Sequence, residues 1–377
     1  MRIQNRDGMA LGLVLMALFV ITILILGAHY TSTQEFRLGS NQLVQNRAMS
    51  AAEHGHGMIY KDWDRNWNAF KAGTTFVRAY APGDGSVDTV RVTKLNSLSF
   101  LAVSEGRAGT GVQMGARRRA GLLLRLNVPQ VSVLGAITTK GTVKIGGSTA
   151  INGRDTAFAG WNCPPAGVPT AGVAVPSLSN ITYGGSCTAG SCIQGTPLVS
   201  TTSAASDTNT YFSYGGMTWN ELVAMADKTI SGTITGASPS YNVDGSCKTS
   251  DNKNFGDPGR AATPGKCESY FQIIYAPGDV SINGNTGQGV LLVNGSLSIQ
   301  GGFTFYGPVI ARGTVKLTGN GNHINGGVLA AAVVDSTSGS SLLGNSSIQF
   351  SRCAMTTALQ RTALPVKAPQ RSWTELF

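Results

Sequence analysis

The chain has 377 residues, a formal net charge of +10 and 49 glycines, and only 13% of its residues are charged. It offers four histidines and 19 acidic residues for catalysis. No glycine-rich stretch ends in the Lys-Ser/Thr pair of a phosphate-binding loop, and His54 and His56 have no evident further ligands for a metal. The composition therefore argues against an enzyme, and we predict neither a cofactor nor a metal site.

A long apolar segment lies close to the N-terminus. Residues 1–8 form a short polar leader that carries Arg2 and Arg6, and residues 9–28 follow it without a charge. As a helix with a rise of ~1.5 Å per residue, that run is about 30 Å long, which matches the hydrocarbon core of a bilayer. No small-residue cleavage site follows, as one would after a secretory signal. We therefore predict a transmembrane helix over 9–28, with the N-terminus in the cytoplasm because of the two arginines.

The helical pattern continues beyond this predicted span. Apolar and small residues recur at steps of three and four and fit one helical face; they are Val44, Ala48, Ala51, Ala52, Gly55 and Ile59. The anchor and the start of the folded part are thus predicted to be one helix. The pattern then changes to alternation, which predicts strands at 88–95, 98–104 and 120–126.

The N-terminal third resembles type IV pilins and pseudopilins, and most closely the PilX-type N-terminal domain of minor pilus-assembly proteins. The likeness covers about residues 1–125 and is carried by Gly8-Met9-Ala10-Leu11, by the apolar run, and by Ala48-Met-Ser-Ala-Ala-Glu-His-Gly55. It implies that a prepilin peptidase cuts between Gly8 and Met9 and usually methylates the new N-terminus. It also implies that residues 29–128 form the rest of a long helix and a small antiparallel sheet.

The same resemblance implies a role in assembly for the apolar helix, which would pack against the helices of other pilins or pseudopilins. The residues that we assign to this role are Leu11, Leu13, Leu15 and Phe19. Most major pilins have a glutamate as the fifth mature residue, which neutralises the terminal ammonium of a neighbour, and this chain has Leu13 there. Burying such a charge without a partner costs several kcal/mol. Because the tip pseudopilin of the K type also lacks the acid, the resemblance favours a minor, tip-proximal subunit over the bulk fibre subunit. The alternative is a plain single-span anchor.

Six cysteines lie far beyond the predicted span, which favours an oxidising compartment for this part of the chain; they are Cys163, Cys187, Cys192, Cys247, Cys267 and Cys353. The sequence alone cannot choose among the possible pairings. Short separations make Cys187–Cys192 and Cys247–Cys267 plausible local pairs, and Cys163 with Cys353 would then remain. A zinc site is not favoured, because no histidine or second cysteine pair lies near Cys187 and Cys192.

Residues 129–350 contain many short apolar runs bounded by Gly and Asn. The segment 140–153 matches 312–326 with one inserted residue, and similar strands begin at Val290, Val309 and Val328, 19 residues apart. Short strands at such a period predict a β-helix or a related solenoid. The fold class is therefore predicted to be a pilin-like α+β module followed by a β-rich, solenoid-like domain, with a β-sandwich as the alternative for the second part.

The two matching segments start 172 residues apart, which is far more than one coil. We therefore predict that the chain enters the solenoid near 131–153, leaves for a cysteine-bearing insertion at about 154–270, and returns near 271. Residues 351–377 are predicted to form a C-terminal helix and a tail. The apolar side chains of Trp373, Leu376 and Phe377 are expected to dock on the sheet or on a partner.

The basic triplet at 117–119 is the densest cluster of positive charge, and basic clusters can bind nucleic acid. It precedes an apolar run, as at a strand edge, and no aromatic residues interleave with it, so DNA is not a favoured partner. The predicted partners are other pilins or pseudopilins, the prepilin peptidase and the bacterial inner membrane. The C-terminal part would lie in the periplasm or outside the cell, on the pilus or cell surface after assembly. The alternative function is a membrane-anchored surface adhesin or carbohydrate-binding protein, with an extracellular glycan or surface ligand as its partner.

Overall fold

The computed structural model describes residues 7–108, 115–158, 161, 163–258, 266–331, 340–342, 345–368 and 372–376. The chain begins with one long helix, α1 (Asp7–Lys61), followed by a short 3-10 helix at Arg65–Ala69. Residues 11–32 of α1 are all exposed, whereas the last turns are partly buried. The expected single helix across the anchor and the start of the folded part is therefore present.

Four antiparallel strands follow and lie side by side in sheet 1 in the order of the chain, with β1 at the edge; they are β1 (Thr75–Tyr80), β2 (Val87–Lys94), β3 (Ser99–Ala108) and β4 (Ala116–Asn127). Buried and exposed side chains alternate along β2 and β3. One face of the sheet packs on α1, and a core cluster that includes Ile59, Val90 and Leu122 fills the space between them.

Short strands and helices continue the chain from residue 135 to residue 237. The strands are β5 (Gly135–Thr139), β6 (Val143–Gly146), β7 (Ala150–Asn152), β8 (Ala171–Val175), β9 (Ile181–Gly184), β10 (Ile193–Gln194), β11 (Val199–Thr201), β12 (Lys228–Thr229) and β13 (Gly232–Ala237). The helices are α2 (Ala189–Cys192), α3 (Asn209–Phe212) and α4 (Trp219–Ala224).

Nine further strands lie among the described residues between 272 and 350. They are β14 (Gln272–Ala276), β15 (Val280–Gly284), β16 (Thr286–Val293), β17 (Leu297–Gln300), β18 (Thr304–Ala311), β19 (Val315–Leu317), β20 (Asn322–Ala330), β21 (Ser340–Leu342) and β22 (Ser346–Phe350).

The strands from β5 to β22 form two sheets, and all of the described pairs in both are parallel. Sheet 2 contains β12, β14, β16, β18 and β20 in that order, and then β22, β7 and β10, while β5, β8 and β11 branch from β20. Sheet 3 runs β13, β15, β17, β19, β21, β6, β9. From β13 to β21 the chain alternates between the two sheets. A β-sandwich would show antiparallel pairs here instead.

The prediction that residues at about 154–270 form an insertion separate from the solenoid is wrong. Six of its strands, β8 to β13, belong to sheets 2 and 3. The chain adds β8 to β11 at one end of the two sheets and crosses to the other end between β11 and β12. It then returns strand by strand until β21 pairs with β6 and β20 with β5. Apolar residues such as Val173, Ile193 and Ile230 enter the same core as the later strands, which is why the segment belongs there.

The predicted 19-residue register is also partly wrong. In sheet 2, Val309 lies opposite Val328, 19 residues on, but its other neighbour is Leu291, only 18 residues before it. Leu291 belongs to the core between sheets 2 and 3, whereas Val290 packs on the opposite face of sheet 2. That opposite face is covered by α5 and by an aromatic cluster that includes Tyr211 and Trp219.

The C-terminal residues return to the first module. Helix α5 (Arg352–Thr362) lies against sheet 2, and β23 (Leu364–Lys367) and β24 (Trp373–Leu376) both pair antiparallel with β4. Sheet 1 therefore has six strands. Trp373 and Leu376 thus dock on sheet 1 of the same chain. Phe377 lies outside the described residues.

Candidate functional site: the N-terminal helix

The N-terminal half of α1 is apolar on all sides. The four assembly candidates are all exposed, Leu11 and Phe19 by 67%, Leu13 by 66% and Leu15 by 59%. A helix that is apolar all round needs an apolar environment. Among the described helices, α1 is the one that is long and apolar enough to cross a membrane.

The predicted processing point lies in the first turns of this helix. Gly8 and Met9 have helical backbone, whereas residues 1–6 of the predicted leader lie outside the described part of the chain. Leu13, the fifth residue after the predicted cut, is exposed.

The C-terminal half of α1 packs closely on sheet 1. Every residue of the predicted stripe is buried except Val44, which is half-buried. A Cβ on Gly106 of β3 would overlap the carbonyl oxygen of Ala48, and one on Gly55 would crowd Ser104 and Val90. Helix and strand therefore approach to backbone contact, which glycine permits because it has no side chain.

The stripe has a member that sequence reasoning missed. His56 is only 6% exposed, and its Nε2 atom lies 3.3 Å from the carbonyl oxygen of Ala102. Burial lowers the pKa of His56, so the ring is neutral near pH 7. Its position four residues after Ala52 and three before Ile59 was the signal that it belonged to the buried face.

A second histidine joins α1 to the sheet through a hydrogen bond. His54 Nδ1 lies 2.8 Å from Oδ2 of Asp88, a carboxylate that is fully buried. The other oxygen of Asp88 and the hydroxyl of Ser104 have no partner among the described residues. Both histidines thus serve the contact between helix and sheet. Across the described chain, no group of three or more His, Cys, Asp or Glu side chains could hold a metal.

The junction between the first module and the parallel sheets is built around Asn68. Its Nδ2 donates to the carbonyl oxygens at the end of α5, at 3.1 Å to Gln360 and to Arg361 and at 2.8 Å to Ala363. These oxygens have no partner within the helix, so a side-chain donor stabilises them. Lys94 Nζ in turn donates to the Asn68 carbonyl oxygen at 2.7 Å. Burial, together with nearby Arg361, lowers the pKa of Lys94 to about 8.

A partly exposed ion pair lies beside this junction. The guanidinium of Arg65 contacts the carboxylate of Asp227, and its other nitrogen donates to the carbonyl oxygen of Met225 at 2.8 Å. Asp227 also accepts from the Ile273 amide at 2.8 Å. Burial raises the pKa of Asp227 in spite of Arg65, because desolvation outweighs the ion pair.

The six cysteines form three disulfides, Cys163–Cys353, Cys187–Cys192 and Cys247–Cys267. These are the pairs that short separation and elimination had suggested. The first ties the loop after β7 to the start of α5, so it links residues 190 apart in sequence. The other two close short loops beside α2 and between β13 and β14.

The basic triplet is placed differently from the prediction of a strand edge. It lies on β4, which pairs with β3 on one side and with β23 and β24 on the other. Arg118 points to the helix side, where it donates to Glu375 at 3.0 Å and to Gln45 at 2.6 Å. Arg117 and Arg119 are exposed on the other face.

Comparison with known proteins adds little. No family model matches the chain, and no curated protein matches it. Among solved structures, the chain is similar to the competence-associated pilin ComZ from Thermus thermophilus, with 15% sequence identity and a TM-score of 0.25. The match covers 89% of this chain and 97% of that chain. A TM-score of this size reflects a loose superposition, from which neither fold nor function follows.

Proposed function

We propose that this chain is a non-enzymatic, minor pilin-like subunit of a type IV pilus or a type II secretion-like assembly. Helix α1 inserts into the membrane and packs beside the helices of other pilin-like proteins in a filament or its tip complex. The observation that carries the proposal is the single 55-residue helix, whose first half is exposed and apolar and whose second half is covered by an antiparallel sheet. At ~1.5 Å per residue it is far longer than the ~30 Å that a bilayer requires.

Apolar side chains also remain exposed on α1 beyond the predicted span. Tyr30 is 66% exposed, Phe36 78%, Leu38 67% and Leu43 54%. Phe36, Leu38 and Leu43 would lie beyond the bilayer and face water on a helix that served only as an anchor. Tyr30 is different, because a tyrosine so close to the predicted span suits the membrane interface. Lateral packing against neighbouring helices would cover the other three.

The orientation follows from charge and cysteines. Arg2 and Arg6 favour a cytoplasmic N-terminus, which puts sheets 1 to 3 in the periplasm or outside the cell. Three disulfides suit that compartment. Leu13 as the fifth residue after the proposed cut supports a minor subunit near the tip, since it supplies no carboxylate for a neighbour's terminal ammonium.

We further infer that sheets 2 and 3 form a parallel β-helix that is carried outside the filament. The alternation of strands between two parallel sheets supports this, as do the apolar residues that line the space between them, such as Ile282, Leu291, Ile299 and Val309.

Analysis of the N-terminus tests the proposal. The full chain is produced in membranes with and without an active prepilin peptidase, and its N-terminus is read by intact mass and terminal sequencing. We expect the chain to begin at Met9, with a methylated amine, only when the peptidase is active. Gly8→Leu should abolish this processing, whereas Gly12→Leu, the matched change four residues on, should leave it intact. A chain that keeps residues 1–8 beside an active peptidase would refute the pilin-like assignment and favour the anchored adhesin.

A further inference from the structure

The face of sheet 1 that points away from α1 is strongly basic. Along β2, β3 and β4 the even-numbered side chains face the helix, and the odd-numbered ones face outward from it. We call this outward surface the outer sheet face. Five exposed arginines from three strands lie on it; they are Arg91, Arg107, Arg117, Arg119 and Arg125. Among the outward side chains of these three strands, Glu105 is the acidic one. The three strands therefore give the outer sheet face five positive charges and one negative charge.

The arginines are arranged at a cost to the folded chain. Arg107 lies directly opposite Arg117 in the β3–β4 register, and like charges in such pairs are destabilising. Glu105 is shared, since it accepts from Arg107 Nε at 2.7 Å and from Arg119 Nε at 2.8 Å. Hydrogen bonding from Arg119 holds the pKa of Glu105 below its usual value. Arg91, Arg117 and Arg125 have no ion pair within the described chain.

Aliphatic side chains lie between these charges. Leu123 on β4 and Leu376 on β24 are each 36% exposed, and Leu376 lies over Gly121, 3.4 Å from where a Cβ would be. Val103, on β3, is half-buried at the same face. A depression of about 550 Å³ opens here and is lined by Arg91, Arg107, Arg119, Glu105, Val103 and Leu376.

This mixture indicates the kind of partner. Arginine beside partly exposed aliphatic groups is a composition found at protein–protein interfaces. The outward side chains of β2 to β4 include no aromatic ring, so the stacking surface that single-stranded nucleic acids use is missing from them. A second copy is disfavoured, because a chain of net charge +10 repels its own kind.

We propose that the outer sheet face docks a different protein, through an acidic surface that also carries aliphatic side chains. The partner's carboxylates pair with the arginines that lack an acid, and its aliphatic groups cover Val103, Leu123 and Leu376. The charges promote encounter and set specificity, and the apolar contacts add the affinity that charge alone does not provide. This inference depends on sheet 1 and not on the membrane role of α1.

Two fluorescent helical peptides of equal length and equal glutamate count test the proposal with the full chain in nanodiscs. One carries Leu beside the glutamates and the other carries Ser there; a short DNA duplex is the third probe, and empty nanodiscs give the background. By fluorescence anisotropy, we expect the Leu peptide to bind about fivefold more tightly than the Ser peptide, as for an interface that combines charge and apolar contact.

Two double variants locate the binding. Arg91→Ser with Arg125→Ser removes two unpaired charges from the outer sheet face and should weaken binding of the Leu peptide about tenfold. Lys144→Ser with Lys316→Ser removes two exposed charges from sheet 3 and should change binding less than about twofold. Leu123→Ser changes no charge and should reduce the preference for Leu over Ser. All of these side chains are exposed, so circular dichroism should show folded variants.

Several outcomes would overturn the proposal. If the duplex bound as tightly as the Leu peptide and with the same dependence on Arg91 and Arg125, the face would be a nucleic-acid surface. If the two peptides bound with equal affinity, the aliphatic side chains would not contribute, and the outer sheet face would bind any polyanion. Equal losses from the arginine and lysine pairs would show that the net charge of the chain, and not this face, controls binding.

Discussion

The first module and the parallel sheets bury their strands in different ways. Sheet 1 is covered by α1 on one face and open on the other, so that β2 and β3 alternate between buried and exposed side chains. Sheet 2 is covered on both faces, by sheet 3 and by α5 with its aromatic cluster. All five residues of β5 and of β8 are accordingly buried. This contrast is the usual one between antiparallel and parallel sheets.

The contrast has consequences for function and for folding. A sheet with one covered face keeps its other face for partners, and here that face carries five arginines. A sheet with two covered faces has no such surface, and its side chains serve packing. The two kinds of burial should therefore respond to different substitutions, and hydrogen exchange resolved by segment can separate them.

The largest effect is expected where α1 meets sheet 1. Gly106→Ala places a Cβ on the Ala48 carbonyl oxygen, and because both atoms are close to rigid backbone, helix and strand must separate. We expect a loss of about 4 kcal/mol or more in the free energy of unfolding of the first module, above the usual ~1–3 kcal/mol of overpacking because the new Cβ meets backbone. Hydrogen exchange on the full chain in detergent should show lost protection in β2 to β4, with little change in β14 to β20.

Gly57→Ala is the matched control. Gly57 lies on α1 but has open space around it, and alanine is the better helix former by ~1 kcal/mol. This variant should be neutral or slightly stabilising. If Gly106→Ala instead removed protection from both regions to the same extent, the first module and the parallel sheets would unfold as one unit. The two kinds of burial would then not respond separately to substitution.

A smaller effect is expected in the core between sheets 2 and 3. Leu291→Ala leaves a cavity beside Val309 in a fully buried position, for which the usual cost is about 3 kcal/mol. The loss of exchange protection should be concentrated in β14 to β20 and should spare β2 to β4. Leu123→Ala, on the partly exposed outer sheet face, should cost less than about 0.5 kcal/mol. Equal costs for the two leucines would mean that sheet 2 is not packed as described.

Features set by neighbours in sequence could be predicted from the sequence. The helical stripe from Ala48 to Ile59 follows from the period of one helix, and the pairing of Cys187 with Cys192 follows from their separation. The match between 140–153 and 312–326 suggested a repeat of strands in the second region. In the structure these segments contribute β6 and β19 to sheet 3, where one strand, β21, lies between them.

Features set by long-range contacts could not be predicted in this way. The Ser/Thr/Gly-rich composition of 154–270 resembles a surface loop, yet a few residues such as Val173 and Ile230 suffice to place its strands in the core. Leu291 and Val309, which are paired in sheet 2, are one residue closer in sequence than the next pair, Val309 and Val328. The sequence does not show this difference, because both faces of the strands are buried and the apolar residues therefore run on without alternation. The outer sheet face combines arginines from three strands, and only the register of sheet 1 shows that they meet.

The smallest effect concerns the junction, where the two kinds of burial meet at Lys94. Its pKa is about 8 in the folded chain, against 10.5 as its ordinary value. Below pH 8 both the folded and the unfolded chain hold the proton, and the cost of burying the charge is present in full. Between pH 8 and 10.5 the folded chain has released the proton while the unfolded chain still binds it, so stability rises with pH.

We therefore expect wild type to gain on the order of 1 kcal/mol relative to Lys94→Met between pH 8 and 9.5. Denaturant titrations of the two chains in the same detergent measure this difference, and the subtraction removes the titration of tyrosines and of Lys228, whose pKa is also about 8. Arg361 supports the effect, since its charge lies near Lys94 and favours the neutral amine. If the difference in free energy of unfolding between wild type and Lys94→Met did not change across this pH range, Lys94 would keep its proton and be hydrated. The junction would then be packed less tightly than the contacts of Asn68 indicate.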